Sequence, residues 1–196
     1  ASYVSGSQNT AYGYNSASSL VSGQYNSSFG AYSLSSNVTG SNNSSFGQNS
    51  LNSNTTGNQN SALGTGSLQS NTTGANNTAT GVNALNGNTT GANNTAVGHN
   101  SLKSNTTGGN NAAVGYNAQT NLTTGSSNAS IGVNTLNGLT TGRYSSALGY
   151  NAGYQDFNGT FQTDANVQRS SALGAYAQVQ TNDAIVLGSV DYGTKV

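Results

Sequence analysis

Residues 93–109 read Asn-Asn-Thr-Ala-Val-Gly-His-Asn-Ser-Leu-Lys-Ser-Asn-Thr-Thr-Gly-Gly, and the stretch matches itself when slid by seventeen residues in either direction. Gly98 falls on Gly81, Gly64, Gly47, Gly30 and Gly13 toward the N-terminus, and on Gly115, Gly132 and Gly149 the other way. Gly108 falls on Gly91, Gly74, Gly57, Gly40 and Gly23, and on Gly125 and Gly142. Eight consecutive seventeen-residue copies therefore fill residues 8–143 without an insertion, behind a lead-in of residues 1–7. A fixed period near twenty residues, held over many copies, marks a solenoid in which each copy is one coil.

Each column of the repeat has its own chemistry. The second position is Asn throughout: Asn9, Asn26, Asn43, Asn60, Asn77, Asn94, Asn111 and Asn128. The fourth is always Ala or Ser, and the tenth is mostly Leu (Leu34, Leu51, Leu68, Leu85, Leu102, Leu136). The fifth is Tyr12, Phe29, Phe46, Leu63, Thr80, Val97, Val114 and Ile131, apolar with one exception. The fourteenth and fifteenth give the pairs Thr55-Thr56, Thr72-Thr73, Thr89-Thr90, Thr106-Thr107, Thr123-Thr124 and Thr140-Thr141.

These columns favour strands. Asn, Gly, Ser and Thr are poor helix-interior residues, and no apolar 3.6 period runs through them. Alternation around positions 3–5 and 13–15 predicts two short strands per coil, each followed by a glycine that permits positive φ or close passage of another backbone. Coils stacked about 4.8 Å apart would set like residues in ladders, including an internal amide ladder from the Asn column. Positions 5 and 10 are expected to form one apolar seam, with the small fourth position on the opposite face of its strand. A strand face of Ala and Ser alone suits close approach by another chain. It points to a trimer of parallel rolls about a common axis, the alternative being a monomeric solenoid with a filled interior.

Composition agrees with an unusual interior. Only 4% of residues are charged, the formal net charge is zero, and 32% are hydrophobic. That is too few large apolar groups for an ordinary globular core, so backbone hydrogen bonding and small-residue packing must carry more of the load. Clustered Lys and Arg are missing, which argues against nucleic acid as a partner, and no apolar run reaches the ~20 residues of a membrane span. The absence of Cys leaves the redox compartment unread. The absence of Pro suits a chain whose N–H groups enter ladders. The N-terminus has neither the regions of a signal peptide nor a starting Met, so the chain reads as a processed or excised piece.

After residue 143 the period breaks. Tyr144–Gly153 begins a ninth coil, residues 154–168 are extra, and Ser-Ala-Leu-Gly returns at Ser171–Gly174. The insertion carries Tyr154, Asp156, Phe157, Phe161 and Asp164. Exposed aromatics among polar groups suit glycan or protein surfaces, so this loop is the candidate recognition element; the alternative is that its aromatics plug the rod where coil length changes. From Gly174 to Gly188 the spacing is fourteen.

This segment, Gly-Ala-Tyr-Ala-Gln-Val-Gln-Thr-Asn-Asp-Ala-Ile-Val-Leu-Gly, resembles the head repeats of trimeric autotransporter adhesins. The seventeen-residue copies with Asn-Thr-Ala-Val-Gly and Asn-Thr-Thr-Gly resemble the longer variant in phage tail-fibre and bacterial surface repeat proteins. The resemblance covers most of residues 8–190 and implies a left-handed parallel β-roll that trimerises. The longer coil departs from the adhesin pattern, and neither a stalk nor an anchor follows, which sets a virion fibre beside a cell-surface setting.

Chemistry-bearing residues are sparse. His99 is the sole histidine, in a seventh column that also holds Tyr14, Gln48, Val82 and Tyr116, and it reads as variable surface. The Asp residues lie beyond residue 155 without calcium-loop spacing, there is no Glu, and no Gly-Lys-Ser/Thr completes a phosphate loop. Enzyme activity, metal and cofactor are not expected. Asn-X-Thr sequons at Asn54, Asn71, Asn88 and Asn105 follow from the repeat and are glycan sites only in a secreted eukaryotic setting. The function expected is an extracellular or virion-borne fibre that attaches to a host or cell surface through glycan or protein. A self-assembling filament, and an ice-binding solenoid using the Thr ranks, are the alternatives.

Overall fold

In the computed structural model, which describes residues 6–153, 168–179 and 181–188, the chain is an all-β parallel solenoid with no helix among the described residues. Its strands are β1 (Thr10–Tyr12), β2 (Ser27–Phe29), β3 (Ser44–Phe46), β4 (Ser61–Leu63), β5 (Thr78–Thr80), β6 (Thr95–Val97), β7 (Ala112–Val114), β8 (Ala129–Ile131), β9 (Ser146–Leu148), β10 (Ser171–Leu173) and β11 (Ile185–Leu187). They form one parallel sheet in sequence order. Register advances by seventeen residues from β1 to β9, so Ala96 of β6 pairs with Ala79 and Ala113. Ser146 then pairs with Ser171 across the insertion, and Ser171 pairs with Ile185 after only fourteen residues.

Each coil has one strand, at positions 3–5, where two were expected. At positions 13–15 the Asn54 side chain donates to Gly57 O three residues on (3.0 Å), which curls the backbone. Thr55 N and Thr56 N then both donate to Thr72 O, at 2.9 and 3.3 Å. Sharing one carbonyl between successive amides is incompatible with a regular ladder.

The orientation of the strand is the reverse of that expected. The fourth position faces inward: Ser28, Ser45, Ala62, Ala79, Ala96 and Ala113 are buried, whereas Phe29, Phe46, Leu63, Val97 and Val114 of the fifth are exposed. A seventeen-residue coil encloses little volume, and the Leu of position 10 with two columns of amides already fills it. What remains opposite position 9 admits a methyl or a hydroxyl, as in the buried pairs Ser28–Ser33 (2.8 Å) and Ser45–Ser50 (2.7 Å). A larger side chain there would overpack an interior held near crystal density. The Ala/Ser column is therefore core, and it is not available for contact with another chain.

Corners are built from left-handed backbone at positions 1, 8 and 10. Asn supplies many of the first two, for example Asn93 (φ 59°) and Asn100 (φ 56°), and it tolerates this region better than other side chains. Position 10 places Leu there, Leu102 at φ 51°. That conformation costs roughly 1–2 kcal/mol for a residue with a Cβ, and full burial of Leu returns about 1.5–3 kcal/mol. Burial offsets the strain, so Leu occupies the corner.

Two amide columns run through the interior. In the second-position column Asn94 Nδ2 donates to Asn77 Oδ1 (3.2 Å) and to Gly108 O (2.9 Å), and the pattern repeats from Asn26 to Asn128. The other column, at position 13, comprises Asn37, Asn54, Asn71, Asn88 and Asn105, each fully buried and linked Nδ2 to Oδ1 at 2.8–3.0 Å. Asn105 donates to the same Gly108 O at 3.0 Å, so both columns converge on the position-16 carbonyl. A Cβ at Gly108 would collide with Gly125 O and Asn105 Oδ1. The second column ends at Asn105, whose Oδ1 lacks a donor where the next coil carries Leu122.

Candidate interaction surface

Because β-strand side chains alternate, an inward fourth position turns the third and fifth outward together. The outer face of the sheet therefore carries two parallel rows. One is short and mostly hydroxylic: Ser44, Ser61, Thr78, Thr95, then Ala112 and Ala129. The other is the apolar fifth column, which β9 to β11 continue with Leu148, Leu173 and Leu187. Phe29 and Phe46 stack at 5.0 Å with 5° between planes.

Beyond Gly98 and its counterparts lies a third row, at position 7. Tyr14, Val82, Tyr116, Val133 and Tyr150 are exposed there, and His99 stacks on Tyr116 at 5.4 Å. His99 is thus one ring in a surface row, and among the described residues no three His, Cys, Asp or Glu side chains gather. Gly13, Gly30, Gly47, Gly64, Gly81, Gly98, Gly115 and Gly132 all have φ between 131° and 138°. They turn the chain from the fifth row to the seventh.

The threonine pairs divide their labour. Thr55, Thr72, Thr89, Thr106 and Thr123 are half-buried, and each Oγ1 donates to the carbonyl of the same position one coil on, at 3.0–3.1 Å. Thr56, Thr73, Thr90, Thr107 and Thr124 are exposed in single file, with Thr141 half-buried at the end; Thr140 is half-buried like the other fourteenth-position residues. The exposed rank is one hydroxyl wide.

Charge is confined to the C-terminal half of the chain. Among residues 1–102 there is no Lys, Arg, Asp or Glu. Arg169 and Asp183, both at position 1 of successive coils, form an exposed ion pair (Nε–Oδ1 2.6 Å). Its hydrogen bond and charge hold the Asp183 carboxyl below and the Arg169 guanidinium above their ordinary pKa values. Tyr154, Asp156, Phe157, Phe161 and Asp164 lie outside the described residues.

Sequence reasoning missed two features of this surface and its support. The position-13 amide column was visible as five Asn in register, but Asn beside Thr-Thr-Gly reads as turn chemistry. The outward apolar row was visible as a column and was assigned to the core on size and hydrophobicity. No protein-family model, no curated protein and no solved structure matches the chain, so the reading of this surface rests on its own geometry.

Proposed function

We propose that the chain is a non-enzymatic structural segment of a fibre or adhesin, a rigid left-handed homotrimeric rod borne on a virion or cell surface. The observation that carries this reading is the outward apolar row on the parallel sheet, interrupted only at Thr80 among the described strands. Eleven strands at about 4.8 Å make the row about 50 Å long, and a three-residue strand is about 10 Å wide. One copy thus offers roughly 500 Å² on this face, and a pair about 1,000 Å², the lower bound of a specific interface. A contiguous apolar patch of that size is at the upper end of what monomers expose. The occupant fitting an equally spaced row is the same row on another copy, since both share one ~4.8 Å repeat.

Rigidity supports the rod. Through the central coils, residues 42–109, each coil is tied to the next by strand pairing, by the Asn columns and by the Thr hydroxyls, so bending there must break several kinds of bond at once. Recognition, by this reading, belongs to the non-repeating insertion at 154–168, with a host glycan or protein as partner. Among the described residues no helix is long and apolar enough to cross a membrane, and coils with only Lys103 and Arg143 as charges in residues 8–143 lack the clustered cations that nucleic acid requires. A water-ordering Thr surface has less support, because the fourteenth-position hydroxyls are already donated within the chain.

Light scattering in native buffer tests the assembly, with a mass near three times 19.6 kDa expected. Val97→Lys with Val114→Lys, both on the outer face, should give folded monomers. A wild-type mass of 19.6 kDa, or a double variant that stays trimeric, overturns the interface.

A further inference from the structure

The repeat places Asn-X-Ser/Thr sequons in columns that the fold treats differently, with single further ones at half-buried Asn121 (position 12) and at Asn158, which lies outside the described residues. Asn26, Asn43 and Asn128 lie in the second-position column, and Asn37, Asn54, Asn71, Asn88 and Asn105 in the thirteenth. All eight are 0–1% exposed. Asn42, Asn76 and Asn93, at position 1, are exposed. Their side chains point away from the columns that build the interior.

N-glycosylation joins the amide nitrogen to the anomeric carbon of a lipid-linked oligosaccharide. One amide proton is lost and the lipid diphosphate departs. Both amide hydrogens of a column residue are already engaged: Asn54 Nδ2 donates to Asn37 Oδ1 and to Gly57 O, each at 3.0 Å. A glycan there removes one of these donors. It must also pass through a wall in which Gly57 has no room even for a Cβ against Asn54 Oδ1 and Gly74 O. The modification is bulky and hydrophilic, so a single occupied column site prevents two neighbouring coils from closing.

We infer that this chain folds along a route on which no N-oligosaccharyl transferase meets it unfolded, because the fold refuses such glycans at all eight column asparagines. The transferase acts on extended chain before burial can protect it, so eight internal acceptors make glycosylation and folding mutually exclusive. The synthesis route is therefore a cytosolic or otherwise non-glycosylating one, whatever surface the finished rod occupies.

The test directs the chain, behind a heterologous secretion signal, into the secretory pathway of a cultured eukaryotic cell. The chain is made with and without an inhibitor of lipid-linked oligosaccharide synthesis. A second chain carries Thr→Val at positions 39, 56, 73, 90 and 107 and Ser→Ala at 28, 45 and 130, which deletes the eight internal sequons. These Thr are exposed, and Ala already fills the fourth position in other coils. Production in a bacterial cytosol checks that this variant folds. The wild-type chain should carry glycan on column asparagines, be protease-sensitive and be retained. The inhibited chain and the variant should emerge protease-resistant, the variant modified only at its remaining acceptors, Asn42, Asn76, Asn93, Asn121 or Asn158. A folded wild-type rod secreted without inhibitor, whether its column residues are modified or bare, overturns the inference. So does a glycan-free chain that fails to fold in the same compartment.

Discussion

Replacing Asn94 by Ala probes what holds coil to coil. The side chain donates to Asn77 Oδ1 and Gly108 O, and its Oδ1 accepts from Asn111 N (3.0 Å) and Asn111 Nδ2 (3.1 Å). After truncation three partners keep another bond: Asn77 Oδ1 keeps the Asn94 backbone N–H, Gly108 O keeps Asn105, and Asn111 Nδ2 keeps Gly125 O. The Asn111 backbone N–H is left alone. One orphaned buried donor costs about 1–3 kcal/mol and three lost neutral bonds about 0.5–1.5 kcal/mol each, so roughly 2.5–7.5 kcal/mol in all. At about 2–4 °C per kcal/mol for a chain of this size, Tm should fall by roughly 5–30 °C. Thr95→Ala, one residue on and facing outward, should stay within about 0.5 kcal/mol of wild type.

The same site supplies a pH test. In Asn94→Asp the carboxyl is buried against two acceptors, Asn77 Oδ1 and Gly108 O. Burial and the two facing acceptors disfavour the charged form and raise its pKa in the folded state, outweighing the two Asn111 donors on the other oxygen, which favour it. The protonated acid can still donate once. Stability of this variant is thus greatest below the ordinary Asp pKa, about 3.9, and is lost as pH rises through the raised folded value. Calorimetry at fixed protein concentration from acid to neutral pH reads both effects; concentration must be held because association moves Tm. Equal Tm for Asn94→Ala and Thr95→Ala, or a pH-independent Asn94→Asp, would falsify the amide column as a source of stability.

Other outcomes follow from single positions. Gly98→Val should abolish cooperative unfolding, because φ is 131° and a Cβ collides with Gly115 O, whereas exposed Lys103→Ala should melt with wild type. Ala96→Leu should lower stability by about 1–3 kcal/mol through overpacking while leaving the associated mass by light scattering unchanged. Leu102→Ala should cost about 2–5 kcal/mol, read by denaturant titration. Asp183→Asn should leave Tm unresolved from wild type at moderate salt, because the pair with Arg169 is exposed. At low salt its small contribution is present above the ordinary carboxylate pKa and disappears as pH falls through the lowered value.

How far the fold was legible depends on which physical quantity the repeat encodes. The period specifies rise and register directly, because a fixed copy length stacks like residues whatever they are. Hence the β1 to β9 register, the return at Ser171 and the shortened step to Ile185 could all be read from glycine spacing. Strand parity could not. A three-residue strand is consistent with either face inward, and a one-residue flip exchanges every side chain. The usual arbiter, that large apolar groups go inside, fails here because interior volume is set by a seventeen-residue perimeter.

Why the interior prefers amides follows from the repeat itself. A buried amide is costly unless each donor and acceptor finds a partner, and in an ordinary core that requires particular neighbours. A ladder of identical residues supplies those partners by translation, as Asn77, Asn94 and Asn111 do for one another. The rings and further branched side chains for which the narrow coil, already holding its position-10 Leu, has no room then stand on the outer sheet face. Their presence there owes nothing to coil closure, since Thr80 occupies the same place in β5 without breaking the ladder. The row must therefore be explained by what lies against it. Serine at Leu63, Val97 and Val114 together should leave the unfolding of an isolated rod near wild type and abolish its association; a triple variant that unfolds as a monomer would show instead that the row supports the coil beneath it.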